Sequence, residues 1–422
     1  MAAVRAQLIG PTYTITVTCV GSSLPTSLYS AYGRHFALSS FAVTGLFAIY
    51  VAVIIPTMLS CGGLSDRWGR RRVAGIGLML SAVASALLAS AIAPAMLFVG
   101  RMLQGTAAGL ISGAATAALA DAAQEHNPGP AARGNAISLA SLGISVGSAS
   151  GPLLSGALAS FAPAPLSTPF LAHLTLLLPV CAMPWPAKPA GNVLSQHPGP
   201  ARRRHRYSNR PALAGSAATT VLTWSVLGIF LALGPAVVAA LNPSAGPVLG
   251  GEMVGLMLVS SALAQFSAGR LPSGAGQRRG LAVITVGLFL LVTAVLLHSL
   301  PLLAVASVIS GIGQGTGFTG ALTDLTAVVP AQHRGRMLSQ AYVIAYLALA
   351  VPVLGVGALA DHTGVLTAVT IYAFVTVAGC LLYFLTAPPA CPATDPAPEN
   401  SHGDSLPGKQ SRAPRPRRKP RG

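Results

Sequence analysis

Apolar stretches of about 20 residues recur along this chain, separated by short polar breaks, and that recurrence constrains the fold more than any other feature. They fall at about 7–29, 43–61, 73–93, 95–120, 137–161 and 168–185. After a basic, proline-rich segment they resume at about 212–241, 248–271, 281–298, 302–329, 338–361 and 365–387. A helix of roughly 20 residues crosses the hydrocarbon core, and lipid offers no water to backbone groups left unpaired. The pattern therefore predicts an all-α membrane protein with twelve transmembrane helices. The first stretch is the least apolar. Its Thr, Ser and Tyr content and Pro25 suit a helix that lines a wet cavity.

Hydrophobic residues make up 52% of the chain and charged residues only 8%, yet the formal net charge is +17. Placement decides what that charge means. With the N-terminus in the cytoplasm, all of the 26 Lys and Arg except Arg34 and Arg101 fall on the cytoplasmic side or in the tail. This is the positive-inside bias of a multi-pass protein of the cell membrane, and it predicts that both termini and the central loop are cytoplasmic. It also assigns the basic excess to the membrane surface, so no nucleic-acid partner is expected. The central loop is placed to meet anionic headgroups. For the Pro-rich basic tail, which has no apolar periodicity and is expected to be disordered, having no role is the simpler reading. The single Arg5 and the lack of a small-x-small site before the first stretch predict an uncleaved first span. The five cysteines show no ligand spacing, which argues against both a metal and a disulfide. No phosphate-binding Gly-x-x-x-x-Gly-Lys motif occurs and the nine histidines are dispersed, so neither ATP-driven transport nor an enzyme is expected.

Between the second and third stretches lies a polar knot, Gly62-Gly63-Leu64-Ser65-Asp66-Arg67-Trp68-Gly69-Arg70-Arg71-Arg72. The pattern Gly-x-Leu-x-Asp-Arg-x-Gly-Arg-Arg resembles the loop between helices 2 and 3 of the major facilitator superfamily of secondary transporters, with Gly62, Leu64, Asp66, Arg67, Gly69, Arg70 and Arg71 matching. An internal repeat at a spacing of about 200 residues agrees with the two six-helix halves that this resemblance implies. Gln104-Gly105-Thr106 answers Gln314-Gly315-Thr316, and Arg133-Gly134 answers Arg334-Gly335. The expected division is an N-terminal half at 1–185, a cytoplasmic linker at 186–211, a C-terminal half at 212–387 and the tail at 388–422. A monomer is expected.

Ionisable groups inside hydrocarbon are costly and mark function by default. Arg101, opening Arg101-x-x-Gln104-Gly105, resembles the superfamily's fourth-helix motif implicated in proton coupling; the alternative is an arginine snorkelling to the outer headgroups. In the fifth stretch Gly143, Gly147, Gly151-Pro152 and Gly156 resemble the motif associated with proton-coupled exporters. The same glycines also suit a plain small-residue packing face. Asp121 and Asp324 occupy corresponding places in the repeat. The resemblance implies an inner-gate latch in which each pairs with an arginine of its half (Arg70 or Arg71; Arg278 or Arg279), and Asp324 is alternatively a proton site. By the same analogy the cavity belongs to spans one, four, seven and ten. Its polar or aromatic candidates are Tyr13, Thr16, Gln104, Trp224, Gln314 and Phe318, with Gln265 and Tyr342 from neighbouring helices. The implied function is a secondary active transporter with no cofactor, driven by an ion gradient and most simply by protons, that exports small amphipathic molecules or drugs. An uptake permease for a metabolite and a non-transporting, transporter-like sensor are the alternatives.

The charge map makes one direct prediction. Reporter fusions at Lys188 and after Ala387 both read as cytoplasmic; an external reading at either site refutes the twelve-span threading.

Overall fold

The computed structural model describes residues 2–61, 64–126, 130–183, 185, 210–269, 271–272, 274–329 and 334–386. Among the described residues the chain is helical throughout and has no strand. The first span is α1 (Ala2–Ser23), a 3₁₀ turn (Leu24–Leu28) and α2 (Tyr29–His35). It is longer than the sequence predicts, and Pro25 falls in the 3₁₀ turn, where a missing N–H disturbs no α-helical ladder. Then come α3 (Ser40–Cys61), a one-turn α4 (Leu64–Trp68), α5 (Arg70–Ala89), α6 (Pro94–His126), α7 (Pro130–Phe161) and α8 (Thr168–Leu177), the last extended by a 3₁₀ turn to Ala182. The second half consists of α9 (Arg210–Leu241), α10 (Pro247–Ala268), α11 (Ala275–Leu296), α12 (Leu300–Val328), α13 (Arg334–Thr363) and α14 (Val365–Thr386). Ten of these helices are long and apolar enough to cross a membrane by themselves, and Thr168–Ala182 is a shorter apolar helix. With α1 they account for the twelve spans. Most of segment 186–211 and all of the tail lie outside the described residues.

The loop expected between spans two and three contains the short helix α4, and α5 starts at Arg70, three residues earlier than the apolar run. Gly69 joins the two at φ +89°, a backbone conformation open to glycine and strained for other residues. Gly62, Gly63 and the side chain of Asp66 lie outside the described residues. Arg67 and Arg71 are exposed.

Outward faces carry large apolar side chains, among them Met79, Val375 and Leu381, as a lipid-facing surface requires. Inward, helices meet through small residues. The chain crosses so regularly that every helix has one end near the chain termini (proximal) and one remote from them (distal). Among the described residues, the hydrogen bonds joining the two halves all lie at the distal ends. Asp361, late in α13, accepts from Ser40 N at 2.6 Å and Phe41 N at 3.2 Å, at the start of α3. Val248 N, in the first turn of α10, donates to Ser160 Oγ of α7 at 3.1 Å. Below the first of these contacts, a Cβ at Gly357 would stand 2.0 Å from Thr44 Oγ1. Below the second, a Cβ at Gly251 would stand 2.4 Å from the Pro152 carbonyl oxygen. The distal side is shut, and the space between the halves lies proximal to that seal.

A carboxylate on a helix N-terminus stabilises by about 0.3–1 kcal/mol at an exposed site such as Asp361. Asp361→Ala is therefore expected to raise distal access by up to about fivefold. The check is the labelling rate of Thr44→Cys, in a background without reactive cysteines, by an impermeant maleimide from the distal side. An unchanged rate means that the carboxylate does not hold this closure.

Candidate functional site: a cavity between the halves

The described residues enclose a cavity of about 310 Å³ between the halves. Its two walls differ in chemistry. The N-terminal half contributes hydroxyls from α1 (Thr18, Ser22, Ser23), from Ser112 of α6, and from Ser141, Ser145 and Ser148 of α7, together with Arg101, set among Phe47, Tyr50 and several isoleucines. The three α7 serines are spaced at helical intervals and share one face. The C-terminal half contributes Trp224, Leu227 and Leu231 of α9, Phe318 of α12, and Tyr342, Tyr346 and Leu349 of α13. Trp224 packs edge-on against Phe318, Tyr342 and Tyr346 at centroid distances of 5.1, 6.4 and 5.4 Å, the geometry that aromatic quadrupoles favour. Gln314 and Gln265 also line this wall, and both bond to Ser261 of α10.

Arg101 is 2% exposed, which removes the snorkelling alternative as a matter of geometry. Its Nε donates to Leu46 O at 3.1 Å. Its Nη1 donates to Ser22 O at 2.8 Å and to Gln104 Oε1 at 2.7 Å. The guanidinium carbon stands 4.4 Å from the centre of the Tyr50 ring. Gln104 is held in turn by donating from Nε2 to Gly21 O at 2.8 Å. One guanidinium thus ties α6 to α1 and α3 through neutral oxygens. Burying a charge without a counter-ion is tolerable only where donors find such partners.

The other predicted site residues divide into those the cavity gathers and those it does not. Trp224, Gln265, Gln314, Phe318 and Tyr342 line it. Gln104 stands behind Arg101 as a supporting residue. Tyr13 turns away, donating its hydroxyl to Leu176 O at 2.8 Å, and Thr16 lies on the seam between α1 and α7, bonded to Thr12 O. Both belong to helix packing, which corrects the sequence expectation for them. Sequence reasoning missed the hydroxyl wall and Tyr50 and Tyr346; the Ser141, Ser145, Ser148 spacing within an apolar helix was the available signal.

Glycines of α7 form the other predicted motif, and their environments are specific. A Cβ at Gly143 would come within 3.0 Å of Thr16 Oγ1, at Gly147 within 2.3 Å of Thr16 O, and at Gly151 within 2.0 Å of Ser23 Oγ. These three seat α7 against α1 inside one half. Gly156 faces across the halves, where a Cβ would meet Pro247 O at 3.0 Å. Pro152 offers its carbonyl to Ser27 Oγ at 2.7 Å.

At the proximal ends the two repeat-related acids behave differently. Asp121 pairs with Arg70, which also donates to Ala117 O. That matches the expected N-terminal latch in its partners, although Asp121 itself is exposed. Asp324 is buried and makes no ion pair with Arg278 or Arg279 among the described residues. Gly274 N donates to both of its oxygens at 3.0 Å and Gln277 Nε2 donates to Oδ2. Arg278 instead lies over the Phe384 ring. The correction follows from helix geometry, since adjacent residues of α11 project about 100° apart and Gln277, not Arg278, points inward.

Comparison with known proteins settles the class. The sequence pattern of the Major Facilitator Superfamily matches residues 12–271 and again 213–420, so this chain belongs to that superfamily of membrane transporters. Over 63 residues it is 43% identical to the multidrug resistance protein MdtL of Klebsiella pneumoniae (strain 342), covering 15% of this chain and 16% of that protein. Over 126 residues it is 30% identical to the methylenomycin A resistance protein of Bacillus subtilis (strain 168), covering 30% of this chain and 26% of that one. These matches span less than a third of either relative. Among solved structures, the inward-facing, occupied form of a bacterial homologue of the human lysosomal transporter Spinster superposes with a TM-score of 0.74 at 14% identity, over 90% of this chain and 95% of that one. The nucleoside transporter NupG gives 0.71 at 12% identity, over 90% and 99%. The fold is therefore the twelve-helix major facilitator fold of a multi-pass membrane protein.

Two glycine substitutions separate close packing from simple helix propensity. Gly147→Ala is expected to destabilise by about 1–3 kcal/mol, because the added methyl runs into backbone. Gly75→Ala, with nothing within 4 Å of its Cβ, is expected to be neutral or slightly stabilising. Thermal unfolding of the two purified variants in one detergent checks the order, and equal midpoints contradict it.

Proposed function

We propose that this protein exports small amphipathic molecules across the cell membrane by alternating access, as a secondary active transporter driven by the proton gradient, with both termini in the cytoplasm. The observation that carries this reading is Arg101, a buried guanidinium in the wall of a cavity between two halves. A guanidinium stays protonated at any working pH, so it is not itself the group that gives up a proton. Its part is to hold a fixed positive charge whose partners belong to two other helices, α1 and α3. Those partners all belong to the N-terminal half and move with it, so the charge faces the cavity throughout the rocking of the halves, and the conformational equilibrium responds to what enters the cavity to balance it. A charge and a row of hydroxyls on one wall, with an aromatic cluster on the other and apolar side chains on both, support an amphipathic substrate. The resistance functions named for two partial relatives support export.

In an efflux-deficient bacterial host, expression of the protein is expected to raise tolerance to at least one amphipathic compound. Arg101→Ala is expected to remove that protection with the surface level unchanged. Arg101→Lys is expected to fail as well, because a point charge does not reproduce the guanidinium fork. Full protection by Arg101→Ala, or protection that survives collapse of the proton gradient, contradicts proton-coupled export.

A further inference from the structure

We infer that the cavity binds molecules carrying an anionic group on a flat apolar body, with the anion seated on Arg101. This deepens the reading of the cavity as the substrate site and rests on it. Among the described residues that line the cavity, Arg101 is the sole charged side chain, and no carboxylate faces it. Its Nε and Nη1 are taken by the oxygens of Leu46, Ser22 and Gln104, and one face is covered by Tyr50. Nη2 has no acceptor among the described residues, which leaves two N–H donors for a ligand.

Three neutral acceptors satisfy geometry without cancelling charge, so a net positive charge remains in a low-dielectric wall. An incoming carboxylate or similar anion would balance it and form a charge-assisted hydrogen bond, roughly twice as strong as a neutral one. Across the cavity, Trp224, Phe318 and Tyr342 present ring surface to the remainder of the molecule. An aromatic cluster can also attract a cation. Here a cation would share the cavity with an unneutralised guanidinium and find no carboxylate there, so the anion is favoured. A volume of about 310 Å³ suits a ligand of about two fused rings with one ionised group.

The test is equilibrium binding to the purified full chain in lipid nanodiscs, with no gradient imposed, using three probes of one shape: naphthoate, naphthamide and naphthylmethylammonium. Naphthoate is expected to bind about tenfold more tightly than the amide, with the ammonium weakest. Arg101→Gln is expected to erase the order. Phe318→Ala is expected to weaken naphthoate and amide alike and to keep their order, so the charge assignment does not depend on one variant folding. No naphthoate binding, a flat series, a preference for the ammonium, or an order that survives Arg101→Gln overturns the inference. In the unmodified protein, a flat series beside intact gradient-driven protection of cells would remove the anion site and leave export standing; naphthoate binding tightest beside failed protection would do the reverse.

Discussion

Close backbone approach at glycines sets the spacing of helices within each half of this protein, and the cavity lies between the halves, on the proximal side of the seam where they touch. Lipid supplies little hydrophobic drive for one helix to join another, so close van der Waals contact must do that work. The internal repeat shows how consistently it is used. Gly105 lets α6 rest on the Tyr50 carbonyl of α3, and its counterpart Gly315 lets α12 rest on the Ser261 carbonyl of α10, at Cβ clearances of 2.6 and 2.2 Å. At the distal end Gly251 repeats this device between halves against the Pro152 backbone, Gly357 makes room for the Thr44 side chain, and Asp361 caps α3. Without those seams the walls bearing Arg101 and Trp224 would not face each other across a small cavity.

The two halves share a plan and differ at one decisive position. Three residues before Gln104 stands Arg101, while three residues before Gln314 stands Gly311, whose Cβ would lie 2.3 Å from the Met257 carbonyl. In one half the site is filled by a guanidinium reaching two neighbouring helices; in the other it is closed by direct contact between α12 and α10. This asymmetry places the cavity's charge on one wall and leaves the other to Trp224, Phe318, Tyr342 and Tyr346. His173 is a buried polar ring of α8 that lies outside the cavity. Its Nε2–H donates to Val17 O at 2.9 Å, its Nδ1 accepts from Ser85 Oγ at 2.7 Å, and nothing of it reaches the cavity.

The spans were legible in the sequence because hydrocarbon thickness fixes their length and backbone pairing fixes their helicity. Arg101 was legible as a site but not as a buried one. Position along an apolar run gives depth only if the membrane boundary is known, and a start near Ala95 left the snorkelling reading open. Tyr13 and Thr16 were misplaced for a rotational reason: polar residues crowd several faces of α1, and sequence alone does not tell which face meets α7 or α8. Gln277 was missed as a partner of Asp324 because charge complementarity pointed to Arg278, while the helical register brings up Gln277.

In the proposed transport cycle the distal seal and the proximal opening exchange as the halves rock about the Arg101 cavity. Spin–spin distance measurements in nanodiscs test it most directly, with one labelled pair at Ser90 and Leu297 near the distal ends and another at Trp68 and Gln340 near the proximal ends. Between alkaline and acidic buffer the account predicts opposite changes, the distal pair separating as the proximal pair closes. Distances that stay fixed, or that lengthen and shorten together, would contradict alternating access in this protein.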